Sequence, residues 1–288
     1  MIFLINIYIK ELDKIDYEKE GKSLIRKVKW KLINDFNIIQ TKEIESGKKI
    51  YLIPNIYKKK IYRKLIKKLE NEKTKTEKLQ LILSNKIKEF EDYFSNYKIV
   101  NGRRTFVNLL EKILKKILKD NLLELQDIYI LTNSYNAENI NTIRNIASKV
   151  KTINIITNKI DKFRILERML ESQEITISNN KRKSLKKAKI IINLDFKKEE
   201  IKQYIINRNA IIISLTGEKL TSLKGFNGNI IRDIELKLED RYKEFVQKNN
   251  LINFKNLEIY ESLINLNEKN TLPEISKLIG NNGEVNFM

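Results

Sequence analysis

The sequence predicts an α/β protein whose second half folds around a doubly wound parallel sheet. Residues 127–216 alternate between short β-branched runs and helical segments, the pattern of parallel strands joined by crossover helices. The strands are almost continuously apolar, as expected when helices cover both faces of a parallel sheet. The same stretch contains no glycine before Gly217. The alternation indicates the architecture, and the missing glycines bear on what the sheet can bind.

Five parallel strands and their helices are predicted in this half. The strands are Ile128–Leu131, Ile153–Ile156, Glu174–Ile177, Ile190–Leu194 and Ala210–Ser214. The helices are Ala137–Val150, Phe163–Leu170, Lys181–Lys187, Glu199–Ile206 and Asp233–Lys248. Right-handed crossovers place the strands in the order 3-2-1-4-5. The run Gly225–Gly228 predicts a turn after strand five, which we interpret as a hairpin.

The first third of the chain predicts a smaller α/β domain. Strands are expected at Phe3–Ile9, Lys49–Ile53 and Leu79–Leu83, and helices at Lys22–Phe36, Ile56–Leu69 and Ile87–Phe94. We therefore divide the chain into an N-terminal domain at residues 1–100, a sheet domain at 101–250 and a C-terminal tail at 251–288. Within the tail, Gly280–Gly283 predicts a turn.

A strongly amphipathic segment opens the second domain. Its apolar residues share one helical face, and they are Phe106, Leu109, Leu110, Ile113, Leu114, Ile117 and Leu118. The opposite face carries Lys115, Lys116 and Lys119. A basic membrane-surface helix is one interpretation of this pattern. We favour a core-facing connector helix, because a predicted sheet follows directly.

Composition excludes several kinds of chemistry. The chain has no cysteine and no histidine. Disulfides, thiolate nucleophiles, Cys-based metal sites and imidazole bases are therefore absent. A general acid or base has to be Asp, Glu, Lys or Tyr, and a metal has to be bound by oxygen ligands. We expect no metal site.

The charge of the chain is strongly positive. Lysine and arginine total 57 against 37 acids, which gives a formal net charge of +20. Such an excess is typical of proteins that bind nucleic acid or anionic membranes. The abundance of Ile, Asn and Lys also fits a bias toward A/T-rich codons, which we favour as its origin. The basic runs Lys58–Lys64 and Lys181–Lys187 show no nucleic-acid module signature, so a solvated surface is the default interpretation.

The N-terminal run Met1–Ile9 is apolar but short. No basic segment precedes it and no small-residue cleavage site follows, so a signal peptide is not expected. No segment approaches the roughly 20 apolar residues that a spanning helix needs. We expect a cytosolic protein without a membrane partner.

Several strand ends share their residue pattern with one known family. The first strand and its turn read Ile128-Tyr129-Ile130-Leu131-Thr132-Asn133-Ser134-Tyr135-Asn136, and Asn158-Lys159 ends the second strand. Ala188–Asn193 and Ala210–Ser214 form the fourth and fifth strands. Over residues 103–235 this pattern resembles the NAD(P)-binding domain of shikimate-dehydrogenase-like and glutamyl-tRNA-reductase-like proteins. The resemblance implies a Rossmann-like fold, with a cofactor at the first turn and Asn158-Lys159 in place of the family's Asn-Arg pair.

The first turn departs from the family's glycine-rich fingerprint. The glycines serve a tight turn, close approach to pyrophosphate and helix packing. Thr132, Ser134 and Asn136 or Ala137 stand in their places. Threonine and serine side chains crowd the pyrophosphate, although the amides at a helix N-terminus still attract an anion. We therefore expect no tightly bound cofactor, with any weak nucleotide binding favouring NADP through Lys159.

The candidate cofactor-binding residues lie at strand carboxyl ends, which face the crevice of such folds. They are Thr132, Asn133, Ser134, Tyr135, Asn136, Asn158, Lys159, Asp195 and Thr216. Asp195 is the carboxylate of most interest, although it could instead be the N-cap of the helix near Lys197. No catalytic residue is identified, and the N-terminal domain lacks the paired Lys and Asp of shikimate dehydrogenases.

Three functions remain open at this point. The first is a dehydrogenase-like protein with an eroded nucleotide site, acting as a non-catalytic binding or regulatory module for a small molecule or a protein. The second is an NADP-dependent oxidoreductase. The third is a basic nucleic-acid-binding protein. The sequence does not decide among them, nor does it give the oligomeric state.

Overall fold

The protein is an α/β protein with two parallel-sheet units. The computed structural model describes residues 4–13, 24–45, 47–73, 78–118, 127–150, 152–171, 176–180, 184–218, 220, 223–264 and 272–285. No helix in these ranges is long and apolar enough to cross a membrane. The strands are β1 (Leu4–Glu11), β2 (Gln40–Glu45), β3 (Lys48–Ile53), β4 (Lys78–Leu83), β5 (Lys98–Ile99), β6 (Asp127–Leu131), β7 (Thr152–Ile156), β8 (Thr176–Asn180), β9 (Ser184–Leu185), β10 (Ile190–Asn193), β11 (Ile205–Ile206), β12 (Ile211–Ser214), β13 (Asn229–Lys237), β14 (Glu274–Gly280) and β15 (Gly283–Glu284).

The helices alternate with these strands along most of the chain. The α-helices are α1 (Leu24–Phe36), α2 (Lys59–Lys73), α3 (Arg103–Asn108), α4 (Leu110–Leu118), α5 (Ala137–Ala147), α6 (Ile160–Glu171), α7 (Lys198–Ile201), α8 (Asp240–Lys248) and α9 (Asn256–Leu263). A 3₁₀ helix spans Ile87–Phe94.

The first unit comprises Met1–Gly102 and Leu238–Thr271. Its sheet has the order β2-β3-β1-β4-β5, with β2 antiparallel to β3 and the other pairs parallel. Alternate residues of the central strand β1 face two cores. Ile7 and Ile9 pack with the buried side of α2, whereas Tyr8 packs with residues of α8 and α9. Because both faces are covered, β1 is apolar over most of its length.

The second unit comprises Arg103–Lys237 and Leu272–Met288. Its sheet has the order β15-β14-β13-β12-β10-β6-β7-β8. The five predicted strands correspond to β6, β7, β8, β10 and β12, so the predicted order 3-2-1-4-5 is confirmed. Their pairs are parallel, including β6 with β7, where Ile128 lies opposite Ile153. The Rossmann-like fold class is therefore confirmed, and β13 adds a sixth parallel strand beside β12.

The division into units differs from the predicted boundaries at 100, 250 and 288. Residues after 238 return to the first unit, because Phe245, Phe254 and Ile259 bury their side chains against its sheet. Residues after 272 rejoin the second unit, where β14 pairs antiparallel with β13. The segment predicted as a tail therefore contributes secondary structure to both units.

Two helix predictions in the second unit are wrong. In the predicted basic helix at Lys181–Lys187, Ser184–Leu185 forms β9, and residues 181–183 lie outside the described residues. The predicted helix Glu199–Ile206 ends at Ile201, and Ile205–Ile206 forms β11, which pairs with β9. Leu185 is fully buried, so the short pair of strands brings it into the core of the second unit. β-branched residues also favour a strand at β11.

The region after strand five was also misread. Residues 233–237, predicted as helix, belong to β13, and the helix begins only at Asp240. Buried Ile234 and Leu236 alternate with more exposed Glu235 and Lys237, which is the period of a strand. The Gly225–Gly228 turn leads into the parallel strand β13 and is not a hairpin. A Cβ at Gly228 would lie 2.0 Å from the Ala210 carbonyl oxygen, so close backbone approach requires the glycine.

The connector is two helices, α3 and α4, separated at Leu109. Its apolar stripe, including Leu110, Ile113 and Leu114, is buried in the second unit. Two lysines on its outer face, Lys112 and Lys116, donate to carbonyl oxygens in 272–276 beside β14. The helices α3 and α4 therefore belong to the fold of this unit.

Candidate functional site: the carboxyl edge of the second sheet

The candidate site lies where the strand order of the second sheet reverses. From β6 the chain crosses through α5 to β7 on one side, while β10 lies on the other side. In doubly wound sheets the carboxyl ends of strands at such a switch point form the ligand crevice. Here the edge is formed by residues that follow β6, β7, β10 and β12. These are the strand ends at which the sequence places the candidate residues.

The carboxylate of Asp195 binds the turn that follows β6. The backbone N–H groups of Asn133 and Ser134 donate to it at 2.7 and 2.8 Å. The Thr132 hydroxyl and the Asn139 side-chain amide each donate to Oδ2 at 2.9 Å. Four donors therefore converge on one carboxylate. Asp195 comes from the end of β10, so its side chain crosses the switch point.

This turn has the geometry of an anion site that is already filled. Successive backbone N–H groups before a helix are the donors that bind pyrophosphate in dinucleotide-binding folds. Asn136 is the N-cap of α5, and its Oδ1 accepts from the Asn139 backbone at 2.8 Å. The turn amides and a first-turn amide of the helix thus have intramolecular acceptors. Thr132 is fully buried, so its hydroxyl faces Asp195 and not the crevice.

The alternative role of Asp195 as a helix cap is wrong. The N-cap of α7 is Lys197, and its backbone N–H donates to Glu200 Oε2 at 2.7 Å. The other oxygen of Glu200 accepts from the Asn133 side chain at 2.8 Å. α7 is therefore tied to the turn after β6 through Glu200, while Asp195 binds the backbone of that turn directly.

Arg103 closes the same edge from the start of α3. Its guanidinium donates to the carbonyl oxygens of Leu194 and Leu215 at 3.0 and 3.2 Å, at the ends of β10 and β12. It also contacts Asn139 Oδ1 at 3.3 Å and pairs with Glu138 at 2.9 Å. The sequence analysis missed Arg103. No motif marks it, since its role depends on distant carbonyl oxygens that only the folded chain brings together.

The residues that follow β7 are joined to the turn by Asn133. Its Oδ1 accepts from the backbone N–H of Asn158 at 2.8 Å. Lys159 is exposed, and its backbone N–H donates to Thr157 Oγ1 at 3.0 Å. The structure therefore brings Asn133 and Asn158 together and leaves the ammonium of Lys159 on the solvent side.

Two further candidate residues lie beside this network. The Tyr135 ring packs edge-on against Phe163 of α6, with centroids 5.2 Å apart, and remains partly exposed. The Thr216 hydroxyl lies 3.1 Å from that of Ser214 at the end of β12 and accepts from the Glu218 backbone. Within the described residues, neither Tyr135 nor Thr216 forms a hydrogen bond with Asp195.

One cavity of this unit lies away from the turn. A cavity of about 170 Å³ separates α4 from the C-terminal half of α5, at the opposite end of that helix from the turn. Glu111 and Lys149 line it and approach within 3.7 Å. Hydrogen bonding to Lys115 lowers the pKa of Glu111, and the charge of Lys149 adds to this effect. Over the ranges that the structure covers, no group of three or more acids is placed to hold a metal ion.

The first unit has a polar cluster at the carboxyl edge of its own sheet. Glu11, 6% exposed, ends β1. Its carboxylate accepts from the Ser84 hydroxyl at 2.7 Å and from the Asn253 side chain at 3.1 Å. Lys86 lies 3.5 Å away. Nearby in the same unit, Lys88 binds the buried carboxylate of Glu258 at 2.6 Å. These donors are side chains, unlike the backbone amides around Asp195.

Comparison with known proteins adds little to this geometry. No family model matches the chain, and no curated protein does. Among solved structures, the chain is similar to L-tryptophan dehydrogenase from Nostoc punctiforme, at 13% identity and a TM-score of 0.33, covering 91% of this chain and 80% of that one. A likeness at that TM-score carries no argument about the site. The class of this protein therefore rests on its own strand order: an α/β protein with a Rossmann-like unit.

Proposed function

We propose that the chain is a dehydrogenase-like Rossmann protein whose nucleotide site is closed by its own side chains. It acts as a non-catalytic binding or regulatory module. One observation carries the proposal: the Asp195 carboxylate accepts from the amides of Asn133 and Ser134, where a cofactor's pyrophosphate would bind. A phosphate can reach those amides only by displacing a carboxylate that four donors hold.

Charge adds to this obstacle. A pyrophosphate that approaches the turn meets the negative charge of Asp195, with Glu200 joined to the same turn through Asn133. The negative charges of a phosphate and of Asp195 repel each other, and the repulsion is stronger in a half-buried site than in water. The positive charge of Arg103 is already matched by its ion pair with the carboxylate of Glu138.

The residues at the ribose end of the crevice favour one nucleotide over the other. NAD-specific domains place an acid after the second strand to bind the ribose hydroxyls, whereas this chain has Asn158 and the exposed Lys159. An ammonium there attracts the 2′-phosphate of NADP and offers nothing comparable to NAD. Residual nucleotide binding therefore favours NADP and is weak.

Calorimetric titration of NAD and NADP into the full chain tests the proposal. We expect no cofactor carried through purification, no measurable NAD binding, and at most weak NADP binding that Lys159→Glu abolishes. Lys162→Glu, a charge reversal in the first turn of α6, is the matched control. Tight NAD binding that Lys159→Glu leaves unchanged would show that the site is misplaced. Tight NADP binding together with hydride transfer would establish the oxidoreductase alternative instead.

A further inference from the structure

One surface of the first unit is set apart by its charge. Seven exposed cations lie at the start of α2 and along its outer side, and none of the residues from 54 to 69 is acidic. We call this surface the basic face, and it consists of Lys58, Lys59, Lys60, Arg63, Lys64, Lys67 and Lys68. Lys59, Arg63 and Lys67 recur every four residues, so they form one row with a rise of about 6 Å per step.

The basic face differs from the cationic segments at α4, α7 and α8. Lys115, Lys202 and Lys243 each pair with an acid three or four residues earlier, at 2.9 to 3.0 Å. Within the part of the chain that the structure describes, no cation of the basic face pairs with a carboxylate. Lys64 and Lys68 donate to the carbonyl oxygens of Phe36 and Ile39, which leaves both charges uncompensated. A codon bias toward lysine raises the number of cations, but it does not by itself place seven exposed cations on one surface without a carboxylate partner among the described residues.

The burial of α2 argues against a membrane partner. Helices that lie on membranes insert an apolar face beside their cations. In α2 the large apolar residues Ile61, Tyr62, Leu65 and Leu69 are buried in the core of the first unit. α2 therefore has no apolar face of its own to insert, and the exposed side chain of Phe36, beside Lys64 at the end of α1, is the apolar group that the vesicle experiment tests.

An exposed aromatic ring stands at the head of the basic face. Tyr57 is 73% exposed and directly precedes Lys58. Its ring packs edge-on against Phe90, with centroids 5.9 Å apart, and Phe90 stacks on the buried Tyr62. The ring therefore contacts the fold through Phe90 while most of its surface remains exposed. Aromatic rings beside a row of cations are how proteins bind single-stranded nucleic acids without sequence preference, through base stacking and phosphate contacts.

Acids mark the limit of this surface. The 3₁₀ helix that supports Tyr57 carries exposed Glu89, Glu91 and Asp92. A polyanion is repelled from that side and is directed along α2. The charge distribution therefore defines a track that begins at Tyr57 and follows the row Lys59, Arg63 and Lys67.

We propose that the basic face with Tyr57 binds single-stranded nucleic acid, with phosphates on the cations of α2 and a base stacked on Tyr57. This binding is independent of the crevice in the second unit. For about four phosphate contacts, the logarithm of the binding constant falls with the logarithm of salt concentration with a slope of about −3. Discrimination among base sequences is small, because stacking and phosphate contacts read no base edges.

The test is fluorescence anisotropy of a labelled oligothymidylate titrated with the full chain between about 50 and 200 mM salt. The variant carrying Lys59→Glu, Arg63→Glu and Lys67→Glu is expected to lose at least about tenfold in affinity and to flatten the salt slope to about −1. A matched control carries Lys115→Glu, Lys202→Glu and Lys237→Glu. It changes the net charge by the same amount at lysines that pair with acids.

Tyr57 separates stacking from charge. Tyr57→Ala is expected to weaken binding by about tenfold with an unchanged salt slope, whereas Tyr57→Phe keeps the wild-type affinity. Circular dichroism of every variant checks the fold. The proposal is overturned if the wild type does not bind, if both triple variants lose affinity equally, or if Tyr57→Ala binds like the wild type. It is also overturned if the chain sediments with phosphatidylserine vesicles but does not bind the oligonucleotide.

Discussion

Each of the two units has a carboxylate at the carboxyl edge of its parallel strands, but the two carboxylates are bound by different donors. Glu11 ends β1 of the first unit and is bound by Ser84, Asn253 and Lys86 side chains. Asp195 follows β10 of the second unit and is bound by two backbone amides of a turn before a helix, together with the side chains of Thr132 and Asn139. The side-chain donors around Glu11 bind one carboxylate of the fold. A turn with successive amides can bind any anion of suitable size. Only the second site therefore has the donors of a nucleotide site.

The core of the first unit contains buried tyrosines. Alkaline pH should therefore have the largest effect on the unfolding free energy of that unit. Tyr8, Tyr51 and Tyr62 are buried in the first unit, and burial raises the pKa of each well above its ordinary value. Their protonated forms stabilise the fold fully below about pH 10, and this contribution is lost as the pH rises above that value. Above about pH 10, each tyrosine that stays protonated in the folded state but ionises in the unfolded state lowers the unfolding free energy by about 1.4 kcal/mol per pH unit.

Fluorescence of Trp30, the single tryptophan, reports on the first unit in urea unfolding. We expect its unfolding free energy to fall steeply between about pH 10 and pH 11. Tyr62→Phe should reduce the slope at little cost at neutral pH, because the buried Tyr62 hydroxyl has no hydrogen-bond partner within the described structure. If the slope of unfolding free energy against pH were the same in Tyr62→Phe as in the wild type, the alkaline loss of stability could not be assigned to Tyr62.

Removing Glu11 should have the next largest effect. Glu11→Ala leaves the buried Ser84 hydroxyl and the Asn253 amide without their shared acceptor, so we expect a loss of about 2–4 kcal/mol in unfolding free energy. Glu11→Gln keeps one acceptor oxygen and should lose about half as much. Urea unfolding followed by Trp30 fluorescence measures both. Equal losses for the two substitutions would contradict this expectation, because they would show that the acceptor oxygen kept in Glu11→Gln contributes nothing to stability.

Asp195→Ala should cost less, about 1–3 kcal/mol, because the amides of Asn133 and Ser134 lie in a half-buried turn that water can reach. Glu199→Ala removes an exposed carboxylate from α7 of the same unit and should change stability by less than about 0.5 kcal/mol. Urea unfolding followed by circular dichroism gives both values. If Asp195→Ala lost more unfolding free energy than Glu11→Ala, the carboxylate of the second unit would be the more important of the two for stability, contrary to our expectation.

Arg103→Lys should have the smallest of these effects, about 1 kcal/mol. Lysine keeps the charge but cannot reach the carbonyl oxygens of Leu194 and Leu215 at once, as the planar guanidinium does. Arg104→Lys, at an exposed neighbouring position, is the control and should be neutral. Thermal unfolding compares the pair, and equal midpoints would show that Arg103 does not tie the strand ends together.

The sequence predicted the second sheet well because β-branched runs separated by helices permit few strand orders. The prediction from sequence was wrong for short segments whose secondary structure depends on packing with distant residues. Leu185 is buried and its strand pairs with Ile205–Ile206, although the basic residues around Leu185 suggest a helix. The predicted helix Asp233–Lys248 includes residues 233–237 of β13, although buried Ile234 and Leu236 alternate there with the more exposed Glu235 and Lys237.

The candidate site was predictable only in part. Missing glycines identified the altered turn, and position at a strand end singled out Asp195. That these two features meet in one hydrogen-bonded unit depends on the register of β6 and β10, which the sequence does not reveal. Arg103 was not predictable, since its partners are main-chain carbonyl oxygens of residues about 90 and 110 positions away.

The most direct test of the account is whether Asp195 keeps phosphate from the turn amides. Amide resonances of Asn133 and Ser134, followed by NMR in deuterated protein, would be titrated with pyrophosphate in the wild type, Asp195→Ala and the Glu199→Ala control. We expect these resonances to stay in place in the wild type and in Glu199→Ala. In Asp195→Ala they should shift with saturation, because removal of the carboxylate opens the turn to an anion. Saturable shifts in the wild type, or none in a folded Asp195→Ala, would contradict the claim that Asp195 closes a nucleotide site.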